Sequence, residues 1–272
     1  MPPTLPSGQY RLVDRNNRTE VDLWHHYEGL ICDDNFGETP SNPWYEPEWA
    51  DEATKRFFLK GHLAHTRRYG RHFHRYFILH DSQIVGSFAV KKDSSGVSYL
   101  LVESLYVQPE FRRQGLADQA LNAIYEQACA AGLDGIKLQT EYSWKPAINF
   151  YLHNGYWLLH WNPCLNFVRS RQFPDYQVTH AGEWLSLSVQ DKTDYTPLLS
   201  AKKNGDTLQW KVHEYAREVS EDLLVTAETT FSLHLDVLGW PLKRSGHHNH
   251  YCGDCGGPEA LAAQIEWWNA PL

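Results

Sequence analysis

The sequence predicts an α/β protein with a second, smaller α or α+β region behind it. Three observations carry this reading. Along the first 170 residues, stretches with the period-two alternation of strands take turns with stretches of helical period. One segment, VESLYVQPEFRRQGLADQAL (102–121), runs a strand pattern directly into a bare turn and a helix start. Near RQFPDYQ (171–177) charge and texture change: of the net −8, residues 1–174 carry −1 and residues 175–272 carry −7.

The elements follow in order. YRLVDR (10–15) alternates and opens as a strand. Two amphipathic helices are predicted at about 20–32 and 47–68, joined by DDNFGETPSNPWYEP, whose Pro, Asn and Gly interrupt both periodicities. HRYFILHD and QIVGSFAVKK alternate on either side of the polar pair Asp81-Ser82, which is a hairpin signal. SSG (94–96) turns the chain into VSYLLVESLYV, where strict alternation puts Leu101, Glu103, Leu105 and Val107 on one face. Residues 115–131 read as a helix with Ala117, Leu121, Ile124 and Ala128 along one stripe. GIKLQTEY (135–142) reads as a strand. SWKPAINFYLHNG is predicted as a helix capped by Ser143, with Pro146 in its first turn and Gly155 as its left-handed stop. YWLLHWNPCLNFVRS supplies one or two more strands, giving the plan β-αα-βββ-α-β-α-β. Beyond the boundary, EWLSLSV reads as a strand and GPEALAAQIEWWNA as a closing helix. Between them, DTLQWKVHEYAREVSEDLLVTAETTFSLHLDVL is mostly helical in pattern, although TTFSLHLDV alternates well enough for a strand.

Length and composition bound the function. At 272 residues with 42% hydrophobic content the chain exceeds one ordinary domain, and domains at 1–172 and 173–272 are expected. No run approaches the roughly 18 apolar residues of a membrane span, and MPPTLPSGQY lacks the charged-then-apolar pattern of a leader. Cysteines 32, 129, 164, 252 and 255 are spaced too irregularly for a disulfide framework, so a cytoplasmic protein is expected. An acidic chain repels phosphate backbones, which argues against nucleic acid as a partner. The one basic run, RRYGRHFHR (67–75), reads as a solvated helix end. His247, His248, His250, Cys252 and Cys255 offer zinc-type ligands. They crowd into nine residues, whereas structural zinc sites gather ligands from two separated segments, and no metal is expected.

The stretch at 102–121 carries the chemistry. A helix N-terminus presents unpaired N–H groups and a partial positive charge, which suits a pyrophosphate. Gly115 and Ala117 are small enough for a phosphate to approach the backbone, and Arg112 and Arg113 add charge. The arrangement reads as a phosphate cradle on a strand-to-helix hinge.

ESLYVQPEFRRQGLA, followed about 30 residues on by AINFYLHNGY, resembles the GNAT superfamily of acyl-CoA N-acyltransferases over most of residues 10–170. Two fingerprints carry the resemblance: LYVQPEFRRQGLA, and Ala147-Ile148 with Tyr151 and Gly155-Tyr156. It implies a mixed central sheet flanked by helices and acetyl-CoA as co-substrate. It further implies that Leu105, Tyr106 and Val107 pair by backbone with the pantetheine arm. The N–H groups of Arg113, Gln114, Gly115, Leu116, Ala117 and Asp118 would then hold the pyrophosphate, with Arg112 adding charge. Tyr151 stands where the family commonly places a tyrosine near the sulfur, able to protonate the leaving thiolate. The sequence departs from the family at Trp144, where many relatives carry Asn, so that polar contact to the cofactor is absent or supplied elsewhere.

Glu103 is the carboxylate of the strand. Set among apolar residues, it must ionise beside a partner such as Arg75 or Lys91, or have a raised pKa. Several polyamine-acetylating relatives carry Glu at this place, which makes Glu103 the expected base for an amine and Glu141 the runner-up. The implied reaction is direct transfer of acetyl to a primary amine, on a small cationic molecule or a peptide. An acidic, aromatic segment supports a cationic acceptor: CDDNFGETPSNPWYEPEW (32–49) carries Asp33, Asp34, Glu38, Glu46 and Glu48 without Lys or Arg. The alternative is an acyl-CoA-binding regulatory module without turnover. A homodimer is left open.

Overall fold

A computed structural model describes residues 3–36, 73–92, 99–140, 142, 144–160 and 164–240. The helix expected at 47–68, the turn at 94–96, Glu141, Ser143, the His/Cys loop at 246–257 and the closing helix lie outside the described residues. The class is the one the sequence predicts: α/β, with a mixed sheet, flanking helices and a second C-terminal sheet. The described residues form two compact units, the first ending at Ile136 and the second beginning at Lys137.

In the first unit, β1 (Tyr10–Leu12), β2 (His74–His80), β3 (Gln83–Lys92) and β4 (Tyr99–Val107) lie side by side in that order, each antiparallel to the next. The β2–β3 hairpin turns at Asp81 and Ser82, both left-handed at φ 48° and 64°, the geometry whose twist matches the flanking strands. Helix α1 (Arg18–Phe36) is longer than expected. Its Trp24 and Tyr27 pack with Val13, Phe77, Ala89 and Tyr106 into a buried cluster.

Helix α2 (Leu116–Ala130) packs on β4. Its buried residues are Leu116, Ala120, Leu121, Ile124 and Ala128. Ala117, expected on that stripe, is half-buried at its edge, because the larger Leu116 takes the core position. Each such Leu or Ile contributes about 1.5–3 kcal/mol through burial.

Strand β4 departs from strict alternation. Across the ladder, Ala89 faces Glu103 but Ser87 faces Tyr106, so β4 takes three steps where β3 takes two. The bulge falls at Ser104, held at φ 52°. It flips the parity that the sequence pattern assumed. Tyr106, rather than Leu105 or Val107, shares the face of Glu103.

Strand β5 (Gly135–Thr140) has all but its first two residues in the second unit, and β5, β7 (Leu165–Ser170) and β6 (Trp157–His160) neighbour one another in that order. Helix α3 (Lys145–His153) starts after Trp144, with no side-chain cap, and stops at Gly155 as expected. A second sheet follows the link at Arg171–Asp175, inside the second unit. Strands β8 (Tyr176–Ala181), β9 (Trp184–Asp191), β10 (Asp194–Asn204) and β11 (Thr207–Val212) form an antiparallel meander closed by three two-residue turns. Helix α4 (Glu221–Val237) buries Leu223, Ala227, Phe231 and Leu235 against Leu185, Leu187, Val189 and Leu199 of this sheet. One expectation is corrected here: TLQWKV is a strand rather than helix. TTFSLHLDV, which the sequence left open between the two, belongs to the helix.

Candidate functional site

The cradle segment takes the conformation that its residues dictate. After β4, Pro109–Phe111 make a single 3-10 turn, and the Gln108 N–H bonds back to Val85 O at 2.9 Å. The chain then turns through two left-handed residues, Arg113 at φ 61° and Gly115 at φ 78°, into α2. Gly115 adopts this geometry freely; Arg113 does so at a cost of about 1–2 kcal/mol. Gly115 is the N-cap and provides no side-chain cap, so the first N–H groups of α2 have no cap acceptor there. Asp118, in the first turn, accepts a hydrogen bond from Asn122 Nδ2 at 3.1 Å.

The two arginines have different tasks. Arg112 folds back: its Nε donates to Val107 O at 2.9 Å, its NH2 is paired with Asp34 of α1, and its guanidinium lies 5.4 Å from the Tyr106 ring centroid. It fixes the end of β4 to α1. Arg113 is exposed at the turn. Gln114 Nε2 donates to Glu110 O at 3.3 Å, which tightens the same loop.

Among Leu105, Tyr106 and Val107, Tyr106 is buried and stacks on Tyr27 at 5.5 Å between centroids. Burial raises its phenol pKa, and Asp34 raises it further. Tyr27 in turn accepts a hydrogen bond from Gln108 Nε2 at 2.7 Å. Tyr27, Gln108 and the pairing of Asp34 with Arg112 escape sequence reasoning, because partners 78 to 81 residues apart leave no local signal. Asp34 was expected to face a cationic acceptor. Its charge is instead engaged by Arg112. The side chains of Asp33 and Phe36, and all of residues 37–49, lie outside the described residues.

Glu103 has a partner: Lys91 Nζ stands 3.3 Å from its Oε1. This is the first of the two alternatives the sequence posed. The carboxylate is 36% exposed rather than sealed in the core, so water reaches it. Lys91 also lies 4.3 Å from the Phe73 ring centroid.

Tyr151 belongs to the second unit. It projects from α3 into an aromatic group with Phe150, Tyr156 and Phe167, at centroid distances of 5.6, 5.7 and 5.1 Å. Burial pushes its phenol up to about 12, so it stays protonated across the physiological range. Among the described residues there is no cluster of three His, Cys, Asp or Glu side chains able to hold a metal. No helix among them is long and apolar enough to cross a membrane.

Residues 36–156, a span that holds Glu103, the turn and Tyr151, match the Acetyltransferase (GNAT) family, and this span is a GNAT-type acetyltransferase domain. No curated protein matches the sequence. Among solved structures, a GNAT-family acetyltransferase from Staphylococcus aureus Mu50 shares 13% identity at a TM-score of 0.40, over 59% of this chain and 98% of its own. An acetyltransferase from Streptococcus agalactiae 2603 shares 12% at 0.41, over 60% and 98%. The PaiA N-acetyltransferase from Thermoplasma acidophilum, in complex with coenzyme A, shares 13% at 0.35, over 54% and 94%.

Proposed function

We propose that the chain transfers acetyl from acetyl-CoA directly to a primary amine, of a small cationic molecule or a peptide, with both substrates bound together. The observation that supports this best is the start of α2: a left-handed glycine without a cap, behind an exposed arginine, inside the span that matches the family. Backbone N–H groups of Arg113 to Asp118 hold the pyrophosphate in this reading, and Leu105 to Val107 pair with the pantetheine arm. Arg112 acts indirectly, by bracing the end of β4, rather than as the phosphate ligand the sequence suggested.

The chemistry then needs two proton movements. Glu103, charged beside Lys91 and open to water, takes the proton of the substrate ammonium through a water molecule. The free amine attacks the acetyl carbonyl carbon, the nitrogen of the tetrahedral intermediate gives its surplus proton to water, and the intermediate collapses with loss of the CoA thiolate, which leaves as the anion or takes a proton from solvent. Tyr151 is the donor proposed for that sulfur. A phenol at about 12 is a weaker acid than a thiol near 8.5, so full transfer runs roughly 5 kcal/mol uphill. Its contribution is a hydrogen bond that stabilises the departing charge. Positioning the two substrates is the larger effect, up to about 10 kcal/mol.

A thiol-release assay with acetyl-CoA against a panel of amines, neutral and cationic, tests the reading. Turnover is expected, fastest on di- or polyamines and slowed by salt. Glu103→Gln should flatten the rising limb of the pH–rate profile. No release with any amine, or fastest release on an anionic acceptor, overturns the proposal.

A further inference from the structure

We propose that the second unit contains a separate binding site for a neutral, partly apolar small molecule, in the cleft framed by α3, β8 and the C-terminal end of α4. The cleft encloses about 790 Å3, within the range of small-molecule sites. Its floor is apolar and rigid. Phe150, Leu152, Tyr176 and Leu185 line it. Tyr176 is fixed from two sides: its ring lies 4.4 Å from that of Trp157, and its hydroxyl donates to Tyr156 O at 3.0 Å. A floor that is already ordered loses little entropy when a ligand settles on it.

The polar groups are placed at the rim and at one point of the floor. Asn149, His153, Gln177 and His180 are exposed around the opening. Beneath them His234 of α4 approaches the Tyr176 oxygen at only 3.4 Å through Nε2. The Tyr176 hydroxyl has a nearer partner in Tyr156 O at 3.0 Å, and its contact with the imidazole is long and therefore weak. Burial pushes His234 down to about 4, so it is neutral at physiological pH. A ligand carrying an amide or hydroxyl gives this ring a better partner than it now has.

The ligand class follows from what the walls offer. Among the described lining residues there is no Asp, Glu, Lys or Arg. A cationic amine finds no carboxylate in the cleft, and a phosphate finds no basic side chain. Either would surrender hydration without a counter-charge, a loss that exceeds any gain from the apolar floor. A neutral molecule with an aromatic or aliphatic body and an amide-like group matches floor and rim together. This site therefore differs in chemistry from both substrates proposed above, and it does not depend on that proposal.

The test uses three probes of one shape and different charge: benzamide, benzoate and benzamidine, titrated into the full-length chain by ligand-observed NMR without acetyl-CoA or amine. Benzamide should bind at least ~10-fold more tightly than either charged isostere. Val178→Trp, which fills the cleft from β8, and Leu238→Trp, which narrows it from an exposed position, should each weaken benzamide binding ~10-fold or more with circular dichroism unchanged. Preference for a charged probe, equal affinity for all three, no binding of benzamide, or binding that ignores both substitutions in folded variants overturns the proposal.

Discussion

Helix α4 begins at Ser220, whose Oγ accepts the Leu223 N–H at 3.3 Å, and Glu221 and Asp222 in its first turn answer the positive end of the helix dipole. Helix α2 begins at Gly115, which has no side chain to offer, and two arginines precede it. Its single first-turn acid, Asp118, accepts a bond from Asn122. The first helix start is closed by its own sequence. The second has neither a cap nor an excess of acid, and an external anion can complete it. An N-terminus left open in this way, behind a strand that is bulged and braced, is what a phosphate-bearing substrate requires.

The largest effect should come from closing the open start. Gly115→Glu places a carboxylate at the left-handed N-cap, where bulk and charge oppose a phosphate. CoA affinity is expected to fall at least ~100-fold by calorimetry, with the helical signal retained. Affinity within threefold of the parent would remove the cradle from the account. A smaller effect is expected at Tyr151. Phenylalanine keeps the ring contacts with Tyr156 and Phe167, so Tyr151→Phe should reduce kcat by roughly 10–1000-fold with little change in melting temperature. Undiminished turnover would leave Tyr151 as a packing residue. The smallest effect belongs to the closed start: Ser220→Ala should cost about 1 kcal/mol of stability and leave CoA affinity alone. A loss of CoA affinity there would dissolve the contrast between the two helices.

The open start was legible in the sequence because backbone rules decide it. A strand pattern, a turn proline, and a glycine before an amphipathic run need no distant partner to be read. Three other features were not legible. The bulge at Ser104 breaks an alternation that looks unbroken in LLVESLYV, and only the ladder with β3 shows the extra step. The bond from Tyr142 to the buried Asp236 joins residues 94 apart, and no local pattern marks it. Trp144 precedes α3 as its cap residue and provides no side-chain cap, whereas Ser143 lies outside the described residues. One miss had a visible signal. Asn204-Gly205 is a hairpin dipeptide, and Gly205 takes φ 58° between β10 and β11. The alternation of Leu208, Trp210 and Val212 after it runs directly into the helical period of the segment that follows, which hides it.

The central claim is that the start of α2 binds phosphate, and two ligands isolate it. Phosphopantetheine and pantetheine differ by one phosphate and share everything else. Calorimetric titration should show phosphopantetheine binding ~10–100-fold more tightly to the parent protein, the range expected for charge-assisted hydrogen bonds from backbone N–H groups. In Gly115→Glu the two ligands should bind alike. Equal affinities in the parent protein, or a phosphate advantage that survives the substitution, would contradict the account.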